Sequence, residues 1–198
     1  DGSGKSTQLA NIKDYLDARG VDALFIREPG GTSIGEKIRD ILLDPANAEM
    51  CAMTEAMLYA ASRAQIVSEV IKPALSEGKV VVCDRFVDSS IAYQAYGRQR
   101  GNAIWDINKY AVDGSMPDYT FFLDINPHIA SSRIDSRGEG KDRMELQEDS
   151  FRMRVYNGYL ALMDDEANRD RIIRIDACKD IESVKSEIIE KLDVILAR

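Results

Sequence analysis

The sequence predicts an α/β fold, a doubly wound parallel sheet with helices on both faces. Three observations carry that expectation: four short apolar runs, helical patterns between them, and a glycine-rich turn opening the first helix. The runs are Ala23-Leu24-Phe25-Ile26, Val80-Val81-Val82-Cys83, Tyr119-Thr120-Phe121-Phe122-Leu123 and Ile172-Ile173-Arg174-Ile175. They do not alternate, which is the pattern of strands covered on both faces. Strands separated by helices imply βαβ units and parallel pairing.

The chain begins Asp1-Gly2-Ser3-Gly4-Lys5-Ser6-Thr7, the second half of the phosphate-loop pattern G-x-x-x-x-G-K-[ST]. That loop curls backbone N–H groups around phosphate, reaches the β/γ-phosphates with a lysine and offers a hydroxyl to Mg²⁺. Gly2, Ser3, Gly4, Lys5, Ser6 and Thr7 are therefore the expected nucleotide-phosphate cradle, in a fold of the P-loop NTPase type. Leu9, Ile12 and Leu16 form one stripe behind it, so the phosphates would also meet a helix N-terminus. A P-loop turn has a strand entering it, and the first Gly of the pattern would lie two residues before Asp1. The reading therefore expects a longer polypeptide, with roughly ten further residues forming an apolar first strand. Without that strand, the chain is expected to be poorly folded, inactive, or rescued by a strand from elsewhere.

Further helical patterns occupy 34–43, 54–76, 103–112, 127–135 and 150–167, and Ile181, Val184, Ile188, Leu192 and Ile195 form the stripe of a last helix. Asn126-Pro127 before the lone His128 reads as a helix cap and first turn, which puts that histidine at the surface. No repeat, linker or low-complexity tract interrupts the pattern, so residues 1–198 read as a single domain.

Bulk numbers narrow the function. With 198 residues, 44% hydrophobic and 30% charged, the chain can build one full core. A net charge of −8 excludes a nonspecific nucleic-acid binder, which needs surplus Lys and Arg, so anionic ligands must be held by local basic clusters. Cys51, Cys83 and Cys178 lack metal-ligand or disulfide-framework spacing, as in a cytoplasmic protein. Neither a membrane-span run nor a signal-peptide pattern is present.

In such sheets ligands bind beyond the carboxyl ends of the strands, and charged residues follow the runs: Arg27-Glu28, Asp84-Arg85 and Asp124. Asp84 ends an apolar strand, where P-loop enzymes hold Mg²⁺ or its waters. Arg85 would aim at the same crevice, although the two could also cap a helix and pair at the surface. Arg27-Glu28-Pro29-Gly30-Gly31-Thr32 is a rigid turn suited to ligand contact, and Arg39 alone is an ordinary solvated charge. Tyr59 and Arg63 stand at i and i+4 on one helix face, either as a base platform with a polar reader or as a core tyrosine with a surface arginine. Arg133, Arg137, Lys141 and Arg143 crowd a stretch with Gly138 and Gly140, which suits a lid at about 136–147 folding over phosphates. The acids Asp135, Glu139, Asp142 and Glu145 also fit a solvated face.

Taken in order, D-G-S-G-K-S-T, R-E-P-G-G-T, L-Y-A-A-S-R, C-D-R-F-V-D-S-S-I-A-Y-Q and S-R-G-E-G-K-D-R-M-E resemble the thymidylate kinase family over essentially the whole chain. The resemblance implies transfer of the ATP γ-phosphoryl group to dTMP, with Mg²⁺, and a homodimer. It implies that Asp1 and Glu28 hold the 3′-hydroxyl side of the deoxyribose and that Arg39 and Arg85 grip the acceptor phosphate. Tyr59 would stack on thymine, with Arg63, Ser90 and Gln94 at its polar edge, and Tyr93 would crowd the place of a ribose 2′-hydroxyl. Lys5 and Asp84 would be catalytic, with Ser6 and Asp84 as metal ligands. Gly2 and Ser3 occupy positions where some family members carry a P-loop arginine, so Arg133 and Arg137 would supply the catalytic charge. The alternatives are another nucleoside or nucleoside-monophosphate kinase, or a noncatalytic nucleotide-binding fragment.

Overall fold

The structure, a computed structural model, describes residues 2–136 and 142–197. Asp1 and residues 137–141 of the expected lid, Arg137 and Lys141 among them, lie outside the described residues. Four five-residue strands, β1 (Ala23–Arg27), β2 (Val80–Asp84), β3 (Thr120–Asp124) and β4 (Ile172–Asp176), fall where the apolar runs place them. Helices α1 (Lys5–Ala18), α2 (Ser33–Leu43), α3 (Ala52–Ile66), α4 (Lys72–Ser76), α5 (Val87–Ser90), α6 (Ala103–Val112), α7 (Pro127–Asp135), α8 (Asp149–Asp164) and α9 (Ile181–Leu196) separate or flank them. Helix α3 runs through a π-helical turn, Val67–Ile71, into α4, and α5 runs on as a π-helical stretch, Ile91–Gly97. The sequence reading misses this second helical stretch.

Pairing is parallel, as expected, but the sheet comes in two halves. Strand β1 pairs with β2, and β3 with β4. Between the halves lies a cavity of about 870 Å³, lined on one side by Val80–Asp84 and on the other by 119–123. The gap falls between the strands ending at Asp84 and Asp124. Apolar side chains that a continuous sheet would bury, among them Val81, Val82, Phe121 and Phe122, are therefore only half-buried.

The core follows the helical stripes. Ile12 and Leu16 of α1 meet Ile175 of β4 and Val184 and Ile188 of α9 on one face. On the other face, Ile91, Ala95 and Ile104 pack with Ala56, Leu162 and Ile172. Both layers leave the carboxyl ends of the strands open, and the charged residues collect there.

Candidate active site

At the chain's start, backbone form follows glycine. Gly2 has φ 74°, and a Cβ there would lie 2.2 Å from the Ala130 carbonyl oxygen, so no larger residue fits. Gly4 caps α1 with φ 91°, a left-handed conformation available to glycine at little cost. The first turn of α1 leaves its N–H groups for an anion. Lys5 opens that helix and, with Ser3, Asp84 and Arg85, lines the large cavity. Ser6 and Thr7 are exposed. Arg133 of α7 reaches back to this loop, donating from Nη1 to the Gly2 carbonyl at 3.4 Å.

The loop after β1 is tied from several sides. The Gly30 N–H donates to Ser62 Oγ at 3.0 Å, and the Gly31 N–H to Glu36 Oε1 at 2.6 Å. Arg27 donates to Glu36 Oε2 at 3.0 Å, and the Gly31 N–H, more than Arg27, holds the Glu36 carboxyl below the usual carboxylate range. Thr32 caps α2 by accepting from the Gly35 N–H, as polar caps do. Arg39 is not a free surface charge: its Nη1 donates to the Pro29 carbonyl at 2.9 Å.

A second cavity, of about 100 Å³, is lined by Glu28, Arg39, Tyr59, Arg63, Arg85, Ser90, Tyr93 and Gln94. Every described residue that the sequence assigns to the substrate is thus brought to one place, from β1, α2, α3, the β2 end and the α5 helical stretch. Asp142 and Met144, which the sequence reading gives no role in the pocket, complete the wall.

Arg63 overturns the bland alternative of a surface partner, since its side chain is only 2% exposed. Its Nη2 donates to Glu28 Oε2 at 2.6 Å, and its Nη1 donates to Ser90 Oγ at 2.9 Å and to Asn108 Oδ1. Glu28 keeps its other oxygen, Oε1, buried without a hydrogen-bond partner. Burial pushes the Glu28 carboxyl up, outweighing the Arg63 charge beside it. A buried acceptor left unpaired costs about 1–3 kcal/mol, and a donor arriving in the cavity would recover that cost.

Burial raises the Tyr59 phenol to about 12, with the Glu55 carboxylate adding to the shift, so the ring is a neutral platform at pH 7. Tyr93 stands edge-on to Phe151 at 6.1 Å, and the Arg85 guanidinium lies over the Tyr93 ring at 5.1 Å. Burial opposes the charge of Arg85, but Tyr93, Tyr159 and Asp84 outweigh it and raise its pKa further. Arg85 also has φ 67°, a strained backbone for a non-glycine residue and a frequent mark of functional sites.

Asp84 Oδ1 is buried without a partner at the end of β2. That oxygen is a hard donor, of the kind that suits a Mg²⁺ ion keeping waters and taking nucleotide phosphates. Among the described residues there is no three-residue cluster of His, Cys, Asp and Glu that would cage a metal without such help. The bland alternative, Asp84 and Arg85 paired at the surface, does not hold, because Arg85 lines the second cavity.

The missed partners left faint signals. Glu55 stands four residues before Tyr59 and eight before Arg63, hence on the same face of α3, and its side chain is fully buried. Asp88 is buried against Arg171, with contacts of 2.7 and 2.8 Å, and only the fold brings these two together.

A phosphate loop, a carboxylate at the adjoining strand end and a basic, aromatic cavity beside them define a P-loop phosphotransferase. The thymidylate kinase family model matches residues 1–188. The chain is 48% identical over 191 residues to the thymidylate kinase of Exiguobacterium sp. (strain ATCC BAA-1283 / AT1b), covering 96% of this chain and 89% of that protein. It is 50% identical over 196 residues to that of Lactobacillus helveticus (strain DPC 4571), covering 98% and 92%, and 47% identical to that of Finegoldia magna (strain ATCC 29328 / DSM 20472 / WAL 2508), covering 97% and 93%. The chain belongs to the thymidylate kinase family, and it is a kinase.

Proposed function

We propose that the chain transfers the γ-phosphoryl group of ATP to the 5′-phosphate of dTMP, giving dTDP and ADP. One observation carries the reading: the second cavity gathers an aromatic platform, a buried acceptor and three arginines, and shares Arg85 and Tyr93 with the cavity that Ser3 and Lys5 line. An acceptor-phosphate oxygen attacks the γ-phosphorus while the bond to the bridging oxygen of ADP breaks. That phosphate has a second pKa near 6 and is mostly dianionic at pH 7, so it needs no general base. The exposed His128 is not required.

Catalysis is then positioning and charge. Arg39 and Arg85 hold the acceptor phosphate, and Glu28 Oε1 accepts from the sugar 3′-hydroxyl, a role that the family resemblance shares with Asp1. Tyr59 carries thymine, Arg63, Ser90 and Gln94 meet its polar edge, and Tyr93 closes the space of a 2′-hydroxyl. Lys5 and the loop amides neutralise the donor phosphates, while Arg133 and Arg137 offset charge on the transferring group. Ser6 and Asp84 would hold Mg²⁺, which when bound draws charge from the β- and γ-oxygens.

The chain acts as a homodimer in the cytoplasm. Exposed Ile41, Met57 and Tyr110 on the neighbouring helices α2, α3 and α6 support association, and three free cysteines suit a reducing compartment. No described helix is long and apolar enough to cross a membrane. Phosphorus NMR of a mixture of the chain, Mg-ATP and dTMP tests the reaction: dTDP and ADP should form together in equal amounts. ADP formed without dTDP would instead show hydrolysis uncoupled from transfer, and formation of neither product would leave a noncatalytic nucleotide-binding fragment.

A further inference from the structure

Glu55 lies outside both phosphate sites, and its side chain is fully buried. Its Oε1 accepts from Gln94 Nε2 at 2.9 Å and from Arg98 Nε at 3.2 Å, and its Oε2 accepts from Arg98 Nη2 at 2.9 Å and Arg143 Nη1 at 2.8 Å. One carboxylate thus holds two guanidinium groups and an amide of the cavity wall.

Its partners are anchored in turn. Arg143 donates from Nε to the Leu42 carbonyl at 2.6 Å, and its own N–H donates to the Leu43 carbonyl at 3.0 Å, which ties the 142–147 segment to the end of α2. Arg98 lies over the Phe151 ring at 4.5 Å and donates to Gln147 Oε1 at 2.7 Å, and Gln147 donates back to the Arg143 carbonyl. Asp142 and Met144, on either side of Arg143, line the same cavity as Gln94. Both Glu55 oxygens are paired, while Arg143 Nη2 is buried without a hydrogen-bond partner, so losing a further contact would strand more buried charge.

We infer that Glu55 is a positioning residue for base selection: by gripping Gln94 and Arg143 together, it sets the distance between the two walls of the base pocket. The inference rests on the reading of this cavity as the thymine site. A carboxylate one methylene shorter keeps the charge but cannot hold both sides at once, so one wall must move. Misplacement on the scale of 1 Å can cost about a hundredfold in rate.

The test compares wild type with Glu55→Asp and Glu55→Gln by steady-state kinetics on dTMP and dCMP, with circular dichroism to check folding. Wild-type preference for dTMP tests the cavity reading itself. Given that preference, Glu55→Asp should lower the dTMP to dCMP ratio of kcat/KM by roughly tenfold or more, chiefly through KM for dTMP, with KM for ATP unchanged. A double-mutant cycle with Gln94→Ala should be non-additive in that ratio, since both changes act on one contact. A purely structural role would reduce the active fraction but leave the ratio at its wild-type value. An unchanged ratio in folded Glu55→Asp, or additive effects in the cycle, would overturn the inference whether or not Glu55→Gln folds.

Discussion

Two buried glutamates show how much a single residue's partners decide. Glu28 receives one guanidinium nitrogen and leaves one oxygen bare, and burial raises its pKa. Burial pushes Glu55 the same way, but hydrogen bonds from Arg98, Gln94 and Arg143, with the Arg98 charge, prevail and lower it. The sign of the linkage follows. A lowered folded-state pKa contributes stability that is complete above the unfolded value of about 4.3 and is lost as pH falls through the folded value. The melting-temperature advantage of wild type over Glu55→Gln should therefore hold at neutral pH and shrink below about pH 4; thermal scans in a pH series check this. Lys5→Ala should cost roughly 10²-fold or more in kcat with the fold retained, because it removes charge aimed at the transferring group, and rapid-quench kinetics with circular dichroism measure both parts. Tyr93→Ala should raise the relative kcat/KM for ribo-TMP; an unchanged dTMP to ribo-TMP ratio counts against the steric role of the ring.

At the scale of elements, the strands were legible because a buried parallel strand must be a continuous apolar run. The observed β2 extends the run at 80–83 by one residue, to Asp84. The 91–97 stretch was not legible, since Ser89-Ser90 and the tyrosines break the apolar stripe and the helix is held by packing against α8. The pairing of strands in halves is a feature of the whole fold, yet it has a local signature. The Val80 N–H donates to the Asp22 carbonyl, and the Asp84 carbonyl accepts from Glu28, so Val80, Val82 and Asp84 face β1. Strand alternation then turns the main-chain groups of Val81 and Cys83 toward the gap. By the same argument, Thr120, which donates to Arg171, faces β4, while Phe121 and Leu123 face the gap. In hydrogen exchange, the Val81 and Cys83 amides should exchange about fivefold or more faster than those of Val80 and Val82, the equivalent of one net hydrogen bond of about 1 kcal/mol. Equal protection along β2 would show that the strand is paired on both sides.

At the scale of the molecule, a chain with net charge −8 can still hold an anionic nucleotide because Arg39, Arg63 and Arg85 converge on one cavity. That arrangement was only half legible in the sequence. Spacing on one helix put Tyr59 and Arg63 together, and the strand-end rule pointed to Glu28, Asp84 and Arg85. The Arg63–Glu28 pair and the Glu55 network join residues 35 to 88 positions apart, and such distances carry no local pattern. The central claim is that this cavity reads thymine on a deoxyribonucleoside monophosphate. A coupled ADP-release assay with dTMP, dUMP, dCMP, thymidine and UMP, each with Mg-ATP, measures it most directly. The account predicts the highest kcat/KM for dTMP, with UMP slowed by Tyr93 and thymidine inert for want of the phosphate that Arg39 and Arg85 hold. Faster turnover of dCMP or UMP than of dTMP would contradict it.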